Sequence, residues 1–206
     1  MQLQSWVALI KDIVTAIAAG TAAVIGVLGL RAWKAQLKGK TEYETARTLL
    51  RCVYKVRDAI RSVRNPLQGA GEIAQALKES GVVIERPDPR FQIASEEAVY
   101  QRRWVGVRDA WQELDLAAFE AEVLWGKDTR DVLAPLRACA AELYSYIQMH
   151  LRYVESPPKN PKPGQSENID KVIYDGLDDP QENPFTRKMA EAVTGIEDFI
   201  RPRLRL

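Results

Sequence analysis

Residues 46–63 read ARTLLRCVYKVRDAIRSV, and within them Ala46, Leu49, Val53, Val56, Ile60 and Val63 recur at intervals of 3, 4, 3, 4 and 3. That rhythm is a heptad seam, one apolar edge along a long helix. Residues 34–64 contain no proline and one glycine, Gly39, so nothing interrupts the helix until Asn65-Pro66, where the residue before proline is driven out of helical geometry. An apolar edge needs partners, and the chain offers two more. Tyr100, Trp104, Val107, Trp111, Leu114, Ala118, Ala121 and Trp125 alternate by 4 and 3; Leu133, Leu136, Ala140, Leu143, Ile147, His150 and Val154 alternate by 3 and 4. Only Gly126-Lys127-Asp128 separates these seams, and so short a connection forces the two helices to run antiparallel. The expected fold is all-α, an antiparallel bundle of three long helices with shorter ones added.

The punctuation between seams completes this reading. Glu72 to Ser80 is a short helix closed by Gly81, and residues 82–92, with Pro87 and Pro89, form a loop. Ser95 is a cap for the second long helix, with Glu96 and Glu97 in its first turn. Asp128 or Thr129 caps the third, where Pro135 delays or bends the first turn. Residues 156–168, SPPKNPKPGQSEN, read as an extended linker. Ile169 to Tyr174 is a short apolar patch that packs back on the bundle. Asn183-Pro184 opens a last helix, which Pro202 stops. The organisation is therefore 1–30, 31–155, 156–168 and 169–206.

Upstream of the first seam, residues 13–30 read IVTAIAAGTAAVIGVLGL, without a charge from Ile13 to Leu30. As a helix this run is about 27 Å long, close to the roughly 30 Å hydrocarbon core of a bilayer. Trp6 and Trp33 flank it where indole rings favour the headgroup regions, and Lys11 with Asp12 reach outward to water. A secretory signal is disfavoured because MQLQSW carries no basic start. The expectation is one membrane-spanning helix. Ala16 and Gly20, and Ala22 and Gly26, are four apart, a spacing that lets a second helix approach and admits a homo-oligomer. Arg31, Lys34, Lys38 and Lys40 follow the run, so the positive-inside rule places the amino terminus out and the remaining 31–206 in the cytoplasm.

Net charge is +1, but residues 31–64 hold ten basic and three acidic residues, about +7, which leaves about −6 beyond Arg64. Arg47, Arg51 and Lys55 form one row on the first long helix; Arg57, beside Asp58, forms a second with Arg61 and Arg64. Like charges at this spacing repel by about 0.2–0.5 kcal/mol per pair, so an anion should face them. Lipid reaches Arg31 to Lys40, but Arg57 would lie about 40 Å beyond Arg31 on an upright helix, far outside a Debye length of about 8–10 Å. The internal candidates are Glu113, Asp115, Glu120 and Glu122. Nucleic acid is disfavoured because no aromatic residues interleave the basic face and no reader motif occurs.

Little in the sequence bears chemistry. Cys52 and Cys139 lack metal or redox spacing. His150 is the single histidine, on an apolar seam, and a hydrolytic or regulatory site there would need it beside two or more carboxylates. Asp175, Asp178, Asp179 and Glu182 lack the ligand ladder of a calcium loop. No phosphate loop, nucleophile elbow or HExxH occurs. No catalytic, cofactor or metal residue is assigned.

Gln36-Leu37, Gly39, Ala46-Arg47, Tyr54, Arg57-Asp58-Ala59-Ile60 and Val63-Arg64-x-Pro66, with Ile196-Glu197 to Pro202 more loosely, resemble a group of short bacterial single-pass membrane-anchored helical proteins with no assigned function. The resemblance implies an inner-membrane location and supplies no activity. The functional expectation is a membrane-anchored helical interaction or scaffold protein whose partner is itself or another membrane or cytoplasmic protein. The alternatives are an enzyme or regulatory subunit built on His150 and a membrane-tethered nucleic-acid binder.

Overall fold

The computed structural model describes residues 2–82, 90–158, 164–176 and 183–204; before Gly20 it describes only the side chains of Thr15 and Ile17. All regular structure among them is helical: α1 (Gln2–Val63), α2 (Ala70–Ser80), α3 (Phe91–Trp125), α4 (Asp128–Glu155), α5 (Gln165–Ile173) and α6 (Pro184–Ile200), followed by a 3-10 turn at Arg201–Leu204. The chain divides into two units, Met1–Glu44 and Thr45–Arg205.

In the first unit α1 runs without a break, and Lys38 and Lys40 reach Glu42 and Glu44 one turn on. Its described apolar side chains are exposed. Among the described residues no helix is long and apolar enough to cross a membrane, and the expected span falls partly outside them, since the side chains at 13, 14, 16, 18 and 19, like that of Trp6, are not described.

The second unit is a four-helix bundle. Ala46, Leu49, Val53, Val56, Ile60 and Val63 are all at most 1 % exposed, so the seam of α1 is wholly interior. It meets Val107, Leu114 and Ala121 of α3 and Leu136, Leu143 and Ile147 of α4 in one core. Trp104, Trp111 and Trp125 lie on the expected edge but stay half-buried, their rings too large for a four-helix interior. Cross-links fix the directions. Lys55 pairs with Glu113 and Arg103 reaches Asn65 O, and Tyr54 Oη donates to Glu197 while Arg64 reaches Thr186, so α1 runs against α3 and α6; Asp115 pairs with Arg137 and Glu122 with Arg130, so α3 runs against α4. The topology is up-down-up-down.

Three expectations change here. First, α6 is a full wall of the bundle, because Phe185, Met189, Ala192, Val193, Ile196 and Ile200 present a buried stripe of their own. Asn183 caps it by accepting from Thr186 N, with Pro184 in the first turn. Second, α3 starts at Phe91, and Ser95 is an internal residue whose hydroxyl bonds back to Phe91 O. Third, α4 runs from Asp128 straight through Pro135, and α5 begins at Gln165 inside the expected linker. The loop at 83–89, Pro161, and the acids Asp178, Asp179 and Glu182 lie outside the described residues. The short helix ends as its sequence requires: Gly81 at φ +70 takes the left-handed position and bonds Leu77 O and Lys78 O.

Among the described residues of the second unit one charge is fully buried, Arg64. Its Nε donates to Val172 O (2.7 Å), Nη1 to Thr186 Oγ1 (2.9 Å) and Asp175 Oδ1 (3.2 Å), and Nη2 to Tyr174 O (2.9 Å) and Lys171 O (3.2 Å). Every N–H of the guanidinium is used. The Arg64 plane also stacks over Phe185, 4.6 Å from the ring centre. Arg64→Met should lower stability by about 3–5 kcal/mol, because it takes the Arg64 donor from Val172 O and Tyr174 O and leaves Lys171 O and the Asp175 carboxylate with Asn183 Nδ2 and Thr186 Oγ1 alone. Arg64→Lys, with three donors for five acceptors, should fall between, and Arg47→Ala should stay within about 0.5 kcal/mol. Thermal unfolding of the full chain followed by circular dichroism reads all three; equal effects of Arg64→Met and Arg47→Ala would refute the assignment.

Candidate functional site

The basic rows expected to form one interaction face separate on folding. Arg47, Arg51 and Arg61 are exposed, while Lys55 is half-exposed in its pair with Glu113. Arg57 lies against its neighbour Asp58 and over the Tyr54 ring, 4.6 Å from its centre. Arg64 leaves the face altogether, since α1 ends at Val63 and the next side chain turns inward between α5 and α6. Of the four acids expected opposite, Glu113 alone meets α1; Asp115 and Glu122 turn to Arg137 and Arg130 on α4 instead. Exposed pairs of this kind contribute about 0–1 kcal/mol each.

His150 sits in a polar cluster at the end of the bundle that also holds Arg64. Its Nε2 lies 3.2 Å from Glu96 Oε2, and as the carboxylate can only accept, Nε2 carries the proton and donates. Tyr100 and Tyr174 present their rings edge-on to the imidazole, at 6.1 and 6.2 Å between centres. Burial pushes the Tyr100 hydroxyl well above its ordinary value, reinforced by the neighbouring Tyr174, and burial raises Tyr174 as well. The hydrogen bond from His150 holds the Glu96 carboxyl below the ordinary carboxylate range, against the opposing effect of burial and with help from Gln92.

Close by, Arg103 grips Glu72 through Nε (2.7 Å) and Nη2 (2.8 Å) and takes the carbonyls of Asn65 and Leu67, which pins the α1–α2 connection to α3. That grip lowers the Glu72 carboxyl too. Burial raises the thiols of Cys52 and Cys139, both free and buried.

His150 thus meets one carboxylate, where an acid–base pair of carboxylates around it would need two. The arrangement orders side chains: two tyrosines, a glutamate and an imidazole each use a partner from another helix. Among the described residues no three of His, Cys, Asp and Glu come together to hold a metal ion. Glu96 was not readable as half of this pair: it extends the α3 seam four residues before Tyr100, but it lies 30 residues from Gly126 and His150 lies 24, so a count from the turn does not set them side by side. Tyr174 carried no signal either, since its neighbours are set by the fold of the 156–183 segment.

A carboxyl held below its ordinary value when folded adds stability above that value and loses it as pH falls through the lower folded one. Glu96→Gln should therefore cost about 1–2 kcal/mol at pH 7, and the gap to the parent chain should close below about pH 4.5. Urea denaturation at pH 7 and pH 3.5 reads this; a gap that persists in acid would show that Glu96 acts by shape alone.

No protein-family model, curated protein or solved structure matches the chain.

Proposed function

We propose that the chain is a membrane-anchored helical interaction protein: residues 13–30 cross a bacterial inner membrane once, residues 31–206 lie in the cytoplasm, and the bundle from Thr45 is the part that meets a protein partner. One observation carries the reading. In a chain whose second unit buries its seams almost completely, Ile17, Val24, Ile25, Val27, Leu28 and Leu30 are each more than half exposed, and they point to all sides of α1. Leaving side chains of this size in water forgoes about 1.5–3 kcal/mol apiece, and a helix apolar all round needs apolar surroundings on every side. A bilayer provides them. Arg31 and Lys34, both exposed just past the run, suit the anionic headgroups of the inner leaflet.

The bundle supports the interaction part of the reading through its packing. The Arg64 guanidinium and the His150–Glu96 pair are answered from within and its heptad edges are spent on one another, so what it offers outward is helix surface. Alkaline extraction of membranes should leave the full chain in the pellet, with release by detergent only. Replacing Val24, Ile25 and Leu28 together with aspartate, at about 2.5–3.5 kcal/mol each in mid-bilayer, should move it to the supernatant. An unaltered chain that stays in the supernatant of lysed cells without detergent would overturn the anchor.

A further inference from the structure

The outer face of the α3–α4 pair is unlike the rest of the bundle surface. On α3, Leu116, Phe119 and Val123 are 71 %, 64 % and 73 % exposed, three large apolar side chains in a ridge at intervals of 3 and 4. Beside them α4 presents Ala134, Ala138 and Ala141, also exposed, over a groove of about 660 Å³ whose floor includes Ala118 and Leu133. Of the ridge, Phe119 lines the groove beside the alanines, with Leu116 and Val123 flanking it on α3. Isolated exposed apolar residues are ordinary, but a contiguous row edged by charge marks an interaction site.

The edge identifies the occupant. Along this groove the acids, Asp115 and Glu122, belong to α3, and the bases, Arg137 and Arg130, belong to α4, at 2.7 Å in each pair. A second copy can face the first in two ways. A two-fold axis across the helices would set α3 on α3, acid on acid and ridge on ridge. A two-fold axis parallel to the helices sets each α3 over the partner's α4 at an unchanged height. Phe119 then meets the Ala134–Ala138 trough, and each arginine gains a second carboxylate. Shape and charge are complementary in this arrangement alone, as an isologous interface requires. It also places Thr45, where the chain enters from the anchor, at the same end of both bundles, as two chains held in one bilayer need.

We propose that the chain forms a homodimer through the outer α3–α4 face, the Leu116–Phe119–Val123 ridge of each copy lying in the alanine trough of the other about a two-fold axis parallel to the helices. This rests on the reading as an interaction protein; its test does not depend on the anchor. The full chain purified in mild detergent should have the mass of two copies. Phe119→Glu and Ala138→Glu, both at exposed positions, should each halve that mass with an unchanged helical circular dichroism signal.

Cross-linking fixes the geometry. Differently tagged chains carrying Phe119→Cys and Ala134→Cys, mixed and oxidised, should form the mixed-tag disulfide, whereas Phe119→Cys alone and the parent chain with its buried Cys52 and Cys139 should not. A parent chain of single mass, a dimer indifferent to both glutamates, or a disulfide from Phe119→Cys alone would each overturn the proposal. So would a single copy bound to a different protein and released by Phe119→Glu. Membrane extraction is scored separately, so a chain that pellets with membranes yet stays single refutes the dimer and spares the anchor.

Discussion

The second unit depends on the burial of one guanidinium. A buried charge costs several kcal/mol unless every polar atom around it is answered, and Arg64 is answered on all five N–H groups. The acceptors explain the position. Lys171 O, Val172 O and Tyr174 O belong to the last turn and cap of α5, where carbonyls have no helical partner and the helix dipole favours a cation. Thr186 lies in the first turn of α6, and Asp175, between the two helices, returns the contact by donating its backbone N–H to Arg64 O (2.8 Å). One side chain thus closes α5 and ties it to the start of α6. Asn183 adds to this by capping α6 while its Nδ2 donates to Lys171 O.

Why the sequence reveals α1, α3 and α4 but not this clamp follows from what periodicity can report. Ala46 to Val63 is apolar at every seam position, and an apolar residue repeated over five turns has few places to go but inward. Arg57, Arg61 and Arg64 repeat with the same spacing, yet a charged row says nothing about direction. Their fates diverge because α1 ends at Val63: Arg57 and Arg61 stay on the outer surface, and Arg64, one residue past the helix, swings under α5. The apolar stripe of α6 was present in Phe185, Met189, Val193, Ile196 and Ile200, but a proline-rich stretch before it made it read as a peripheral segment. Ser95 misled in the opposite sense, since a serine ahead of two glutamates has the composition of a cap even where the helix has already run for a turn.

The charge split is resolved differently from the way a linear count suggests. Residues 31–64 carry the positive excess, but α3 spends Asp115 and Glu122 on its hairpin partner α4, the nearer helix along the chain, and gives α1 only Glu113. Exposed pairs contribute too little to hold helices together, so their distribution is free to serve the surface. The α3–α4 face comes out electrically ordered, acids on one helix and bases on the other, and the α1 face remains positive through Arg47, Arg51 and Arg61.

The polar contacts also settle what the apolar ones leave open. Heptad seams of leucine, valine and alanine tolerate a slide by one repeat, because each position meets a similar neighbour after seven residues. Tyr174 removes that freedom: its carbonyl accepts from Arg64 just past α1, and its ring edge meets His150 of α4, which in turn holds Glu96 of α3. A slide of seven residues in α1 would strand the buried Arg64, and one in α3 or α4 would part the half-buried His150 from Glu96, at about 1–3 kcal/mol for a neutral group and more for the guanidinium. The core therefore supplies the association and the network at the Arg64 end supplies the register, and the register is what aligns Phe119 with Ala134 and Asp115 with Arg137 on the outer face.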